Sequence, residues 1–421
     1  MMRSRDILDK RSAPMVWLSI LSILVVLSSC NFPSGQDQSP TGESRPALAS
    51  DTPSPSATIT ATLEPTATPT TVAPVDGYVI LTDLDPEDAY YAAVDKLAAY
   101  RQAEVLTFGG DITTLLPELQ SLNPEFMAIV TRPERIEETF TFQVFMLAKE
   151  IQPGFETDAA YGFITGITAE DAVAYVDNLA LYERGLLNQN ENFLVLWRTQ
   201  AGSVSGGAEG MANDTTQAAL DLMSGLGFAS QRVDMDSITK SETMEAASQA
   251  GFVFVFAHGA PNMIECGLNC QGDAIMAADI PAFEQARFVV SSACYGGVVH
   301  TWFNQSMSGV ASYSERVQQA DPAESIALNF LRNGAIGYIG HLCMWGSNNW
   351  PLTLMETLSQ NPDLSYGQML QAYYDRATQP LPITASPAAD LIGMDNNQFY
   401  YAAMVLYGDP AVRIQLPDIS E

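Results

Sequence analysis

The sequence predicts an α/β fold in which a mostly parallel sheet is flanked by helices. Three observations carry this. From Asp76 onward, short apolar runs alternate with stretches of helical character, the pattern of parallel strands joined by helical crossovers. The apolar runs are continuous rather than alternating, as in Val253–Phe256 and Phe288–Val290, which suits strands buried on both faces. Their ends are also spaced for crossovers. The runs closing at His258 and Cys294 end 294 − 258 = 36 residues apart, room for one helix and its loops.

The 421 residues are 47% hydrophobic, enough for a large core divided into two or three domains. Residues 1–30 stand outside that core. Arg3, Arg5, Lys10 and Arg11 form a basic n-region, and Met15–Leu27 is an apolar h-region too short for a comfortable membrane span. It ends in Leu27-Ser28-Ser29-Cys30, which resembles a bacterial lipobox, where the cysteine is lipidated and becomes the new N-terminus. An ordinary signal peptide with an incidental cysteine is the plainer alternative. No second apolar run of spanning length follows, so the expectation is a protein anchored to the cell envelope by its N-terminal lipid, facing outside the cytoplasmic membrane.

Removing residues 1–30 takes away four basic and two acidic side chains, so the net charge of −30 becomes −30 − 2 = −32. Such acidity argues against nucleic acid and against electrostatic docking on anionic lipid. Acidic residues suit calcium chemically, yet none falls in the spacing of an EF-hand loop. Residues 31–75, dense in Pro, Ser and Thr, lack the apolar content to fold and read as a disordered tether. As a coil it spans roughly 35–40 Å.

The elements follow in order. Tyr78–Thr82 reads as a buried strand. Asp85-Pro86-Glu87-Asp88 reads as a helix start, with an N-cap, a proline at N1 and acids in the first turn, and its helix runs to about Arg101. Val105–Phe108, Phe126–Thr131 and Tyr161–Thr165 read as strands. Thr168-Ala169-Glu170-Asp171 opens a long helix in capping-box style, ending near Gly185. This half, 76–190, contains no His or Cys.

The second half, 191–421, opens with the strand Phe193–Arg198, followed by a small-residue loop from Thr199 to Asp214. A helix to Leu226, a strand near Arg232 and a helix near Met244 lead to the two central strands. Ser325–Asn333 reads as a helix closed by Gly334, Ala335–His341 as a strand, and Val412–Leu416 as the last strand.

The chemistry concentrates in the two central runs, GFVFVFAHGAP (Gly251–Pro261) and ARFVVSSACYGG (Ala286–Gly297). Each ends abruptly in a reactive side chain beside a small residue. In parallel sheets, ligands bind beyond the carboxyl ends of the strands, so an imidazole and a thiol would share one edge. A nearby imidazole activates a thiol or protonates a leaving group. Gly259 lets the backbone approach a substrate and offers its N–H to an oxyanion. Either residue alone is more simply a packed or capped side chain; the two together point to a catalytic dyad.

An apolar strand ending in His-Gly followed by one ending in Ala-Cys resembles the caspase–gingipain–legumain clan of cysteine peptidases. Two further pieces resemble the gingipains within it: YGFITGITAEDAVAYVDNLALYERG (Tyr161–Gly185) and VLYGDPAVRI (Val405–Ile414). The resemblance, from about Asp76 to Leu416, implies a three-layer α/β/α sandwich of two subdomains. It makes 76–190 non-catalytic and 191–421 catalytic. It implies hydrolysis of peptide bonds in protein or peptide substrates by Cys294 and His258, with no organic cofactor. It further implies a specificity pocket walled by Trp345 and carrying Glu209 or Asp214, favouring Arg or Lys before the cut. The bland alternatives are a surface aromatic for Trp345, a solvated acid for Glu209 and an N-cap for Asp214.

The sequence also departs from the gingipain pattern. Tyr295-Gly296-Gly297-Val298 follows the nucleophile in place of a polar segment, and the nearest match to a histidine-orienting Glu is Gln200. His300 and His341 are alternative bases without the His-Gly context. Cys266 and Cys270 suit a local disulfide in an oxidising compartment, and Cys343 a buried thiol. The competing functional class is a gingipain-like surface binding protein that keeps the scaffold without the activity. A metal-dependent hydrolase lacks a ligand set.

Overall fold

The computed structural model describes residues 75–418, apart from 153, 155–156, 199–207, 266–273, 304–312, 344–349 and 376–395. The first half runs β1 (Tyr78–Thr82), α1 (Tyr91–Arg101), β2 (Glu104–Thr107), α2 (Leu116–Leu122), β3 (Phe126–Val130), α3 (Glu138–Glu150), β4 (Ala160–Ile164) and α4 (Ala169–Glu183). The second half opens with β5 (Asn192–Trp197), α5 (Ala208–Gly225), β6 (Ala229–Asp234), α6 (Lys240–Ser248) and β7 (Phe252–Phe256). Three two-residue strands follow: β8 (Gly259–Ala260), β9 (Met263–Ile264) and β10 (Ile275–Met276). Then come β11 (Arg287–Ser291), β12 (Thr301–Phe303), α7 (Tyr313–Arg316), β13 (Val317–Gln319) and α8 (Ile326–Arg332). The chain closes with β14 (Ala335–His341), α9 (Trp350–Gln360), α10 (Tyr366–Asp375), α11 (Asn396–Ala402) and β15 (Met404–Gly408).

Ten of these strands form one sheet in the order β2-β1-β3-β4-β15-β14-β11-β7-β5-β6. The pairings within β1–β4 and from β14 through β6 are parallel, while β15 runs antiparallel to β14. Helices α1, α4 and α8 pack together on one face, and α3, α5, α9, α10 and α11 on the other. This is the expected three-layer sandwich. It follows from the sequence because β1, β3, β7 and β11 are buried at every position, so each must be covered on both sides. No helix among the described residues is long and apolar enough to cross a membrane.

Local signals largely act as written. Thr168 and Asp171 form a reciprocal capping box at α4, and Gly334 takes φ +105° just beyond α8. Three expectations are corrected. The Asp85–Asp88 segment is a turn, and α1 begins only at Tyr91. There the Asp88 carboxylate accepts from the Tyr90 N–H at 3.0 Å and pairs with Arg132 at 2.8 Å, so a tertiary ion pair claims an acid expected in the helix's first turn.

The loop expected to reach Asp214 ends at Ala208, leaving Asp214 exposed inside α5 rather than at its N-cap. Thr216, Ala219 and Met223 make the buried stripe of that helix, and its periodicity carries the helix past the Asn-Asp pair. The final strand is β15, not Val412–Leu416. Gly408 at φ +137° and Pro410 end the pairing, and Arg413 keeps only an isolated bridge to Ser365.

Candidate active site

The second half places β5, β7 and β11 side by side, and the chain reverses its direction of winding between β5 and β7. A crevice beyond the carboxyl ends at such a reversal is where open α/β sheets bind ligands. His258 and Cys294 both lie at this edge. Val255 pairs with Ser291, and three residues further along each strand come His258 and Cys294. The Ser292 N–H still donates to the Val255 carbonyl at 2.8 Å, so the register holds one residue past the end of β11.

Gly259 brings the two ends into contact. A Cβ placed there would lie 2.7 Å from the Ala293 Cβ and 3.1 Å from the Cys294 carbonyl oxygen. Only glycine allows this approach. Gly259 pairs with Ile264 across a short hairpin, while the Glu265 N–H donates to the His258 carbonyl at 3.0 Å. That bond marks the Gly259–Ile264 pair as the widely spaced kind, in which N–H groups point away from the partner strand. The Gly259 N–H therefore faces away from β9.

The turn after Cys294 is held from below. Tyr295 adopts φ +58°, a conformation that costs a side-chain-bearing residue about 1–2 kcal/mol. Its N–H donates to the Cys343 carbonyl at 3.2 Å, and the Gly297 N–H to the His341 carbonyl at 2.8 Å. The Tyr338 hydroxyl donates to the Gly296 carbonyl at 2.7 Å, and the Tyr407 hydroxyl to the Gly297 carbonyl at 2.5 Å. The Tyr295 ring meets Trp302 edge-on at 4.5 Å. Cys294 is 6% exposed and His258 half-buried.

The other two histidines are placed differently. His341 is fully buried, edge-on to Trp350 at 4.8 Å. Burial pushes its imidazole down from the ordinary 6.5 to about 3, so it stays neutral and out of solvent's reach. The half-buried His300 shares a 2.9 Å hydrogen bond between Nδ1 and Thr301 Oγ1. Cys343 is fully buried, and desolvation, then the charges of Glu138 and Cys294, push its thiol well above the usual range.

Glu209 falls in the first turn of α5, but its side chain lies outside the described residues, as do Trp345, Gln200, Cys266, Cys270 and Cys30. Asp214 sits roughly 9 Å of helix rise beyond the start of α5. At the carboxyl end of β5, Arg198 pairs with Asp236 at 3.3 Å and Glu265 at 2.5 Å, tying that strand to the hairpin carrying His258. Neither this clamp nor the two tyrosines under the turn after Cys294 has a local sequence signal. No group of three or more His, Cys, Asp or Glu among the described residues is arranged to hold a metal ion.

An imidazole and a thiol carried to one sheet edge, beside a glycine N–H not used by its hairpin, are the kinds of group that nucleophilic acyl transfer uses. Residues 62–415 match the model of peptidase family C25. No curated protein matches the chain. Its fold is similar to gingipain R, described as an Arg-specific cysteine proteinase, at 9% identity and a TM-score of 0.52 over 82% of this chain and 81% of that one. A complex of the pro- and mature domains of RgpB from Porphyromonas gingivalis is similar at 9% identity and 0.50, covering 80% of each chain. A structure described as a protease is similar at 10% identity and 0.53, covering 81% of this chain and 79% of that one. Such identities show a shared fold, whereas the family match covers most of the sequence. The chain belongs to peptidase family C25.

Proposed function

We propose that the protein is a lipid-anchored cysteine endopeptidase of the bacterial cell surface, acting through Cys294 and His258. The observation that supports this most is the contact of Gly259 with Ala293 and Cys294 at the carboxyl edge of β7 and β11. The Cys294 sulfur attacks the peptide carbonyl, and the N–H groups of Gly259 and Cys294 hold the oxyanion. His258 protonates the departing amine, leaving a thioester. Water then attacks the thioester with His258 as base, releasing the acid and restoring the thiol. Cys30 carries the lipid, and residues 31–75 tether the domain above the membrane. Glu209 and Trp345 are the proposed specificity groups, with Asp214 the weaker acid given its depth along α5.

The test is a peptide-library digest with fragment 76–421 and its variants. Cys294→Ala should abolish turnover, since the thioester then has no sulfur to form on. His258→Ala should slow it about 10²–10⁴-fold. Cys343→Ala should keep most activity, and cuts should fall after Arg or Lys. If Cys294→Ala cleaves as fast as wild type, or wild type cleaves nothing and Cys294 resists a substrate-like electrophile, the binding-protein reading replaces this one.

A further inference from the structure

Cys343 has no role in the mechanism above, yet the fold sets it directly beside the nucleophile. Val290 on β11 pairs with Ile339 on β14. Just beyond the strand ends, at Ser291 and His341, come Cys294 and Cys343. There the Tyr295 N–H donates to the Cys343 carbonyl at 3.2 Å, which holds the backbones at the two cysteines side by side. Backbones joined by such a bond run roughly 5 Å apart, a spacing comparable with the ~4.4–6.8 Å Cα span of disulfides. Both side chains are buried thiols. They are close enough that charge on Cys294 raises the Cys343 thiol.

We infer that Cys294 and Cys343 form a redox pair, in which Cys343 resolves the oxidised nucleophile into a reversible disulfide. The co-reactant is hydrogen peroxide. The Cys294 thiolate attacks one peroxide oxygen, breaking the O–O bond; the sulfur becomes a sulfenic acid, and the other oxygen leaves as water after taking a proton. The Cys343 sulfur then attacks Cys294, and the sulfenic oxygen departs as a second water carrying the Cys343 proton. Two thiols lose two hydrogens and two electrons, and the peroxide is reduced to two waters.

The division of labour follows from burial. Cys343, at 0% exposure and kept protonated by its surroundings, is shielded from direct oxidation. Cys294 at the edge is reached first. The disulfide would stop the nucleophile from proceeding to irreversible sulfinic acid, a hazard for an enzyme outside the reducing cytoplasm.

The inference rests on the peptidase reading only for its effect on turnover, so the experiment reads mass as well as activity. The full chain is treated with a small excess of hydrogen peroxide, and its mass and peptide map are taken before and after dithiothreitol. The expected result is a loss of two hydrogens, a Cys294–Cys343 cross-linked peptide, and recovery of most activity on reduction. Cys343→Ser and Cys343→Ala should instead take up two oxygens at Cys294 and recover at least tenfold less activity. A wild-type map showing Cys294 as sulfinic acid, or bridged to Cys266 or Cys270, overturns the pairing. The wild-type map decides this even if both variants fold poorly or the chain cleaves no peptide.

Discussion

Arg101 and Asp409, 308 residues apart in sequence, meet in the interior with Nε 2.9 Å from Oδ2. Their side chains are 2% and 0% exposed. The other edge of the guanidinium forks onto both oxygens of Glu183, each at 2.8 Å. The Tyr78 hydroxyl donates to Asp409 at 2.7 Å, and the Asp409 N–H donates to the Tyr175 hydroxyl oxygen at 2.6 Å. The Gly-Asp-Pro segment thus stitches the end of β15 to α1, α4 and β1. Asp409→Ala leaves the Arg101 charge buried and short of one partner, which should cost about 3–5 kcal/mol. Urea denaturation reads this directly; an unchanged midpoint would remove the network from the stability account.

Stability should also fall in acid through His341. Its folded-state value is depressed from 6.5 to about 3, so above pH 6.5 the ring is neutral in both states and contributes no slope. Between pH 6.5 and 3 the unfolded chain binds a proton that the folded one refuses. Stability therefore declines as pH falls through that window, by up to about 1.4 kcal/mol per pH unit. His341→Gln should flatten the slope of unfolding free energy against pH. A variant as steep as wild type shows that other groups set the acid limit.

The nucleophile turn makes a kinetic prediction. Gly259→Ala forces a Cβ to within 2.7 Å of Ala293, prising apart the ends of β7 and β11 and moving one oxyanion donor. A drop in kcat of about 10²-fold is expected, the usual effect of losing one such donor. Tyr338→Phe removes the bond to the Gly296 carbonyl. Leaving that carbonyl unsatisfied costs about 1–3 kcal/mol, and kcat should fall more than KM changes. Steady-state kinetics with one peptide substrate would read both; a Gly259→Ala enzyme at full speed would contradict the strand-end contact.

Anchoring is tested in the cell. In a lipoprotein-competent bacterium, wild type should take up labelled fatty acid and sediment with membranes. Cys30→Ser should be released, or retained as an unprocessed precursor. Wild type with no incorporated label rules the anchor out.

The sequence by itself determined the fold class and the neighbourhood of the candidate site. Continuous apolar runs such as Phe252–Phe256 and Arg287–Ser291 specify strands buried on both faces, and the 36-residue spacing makes them parallel neighbours. Because the pairing is one residue to one, that same number brings His258 and Cys294 out at the same edge of the sheet. Helix caps at Thr168 and Gly334 were legible because they depend on residues only a few positions apart.

Tertiary structure decided everything that depends on distant partners. Asp88 reads locally as a helix starter, but Arg132 from beyond β3 takes its carboxylate. Asp214 reads as a cap, but the buried face of α5 overrides it. The place of β15 between β4 and β14, the tyrosines under Gly296 and Gly297, and the bond from the Tyr295 N–H to the Cys343 carbonyl have no local signature. Each is fixed by which strands become neighbours, and that choice belongs to burial of the whole sheet rather than to any short segment.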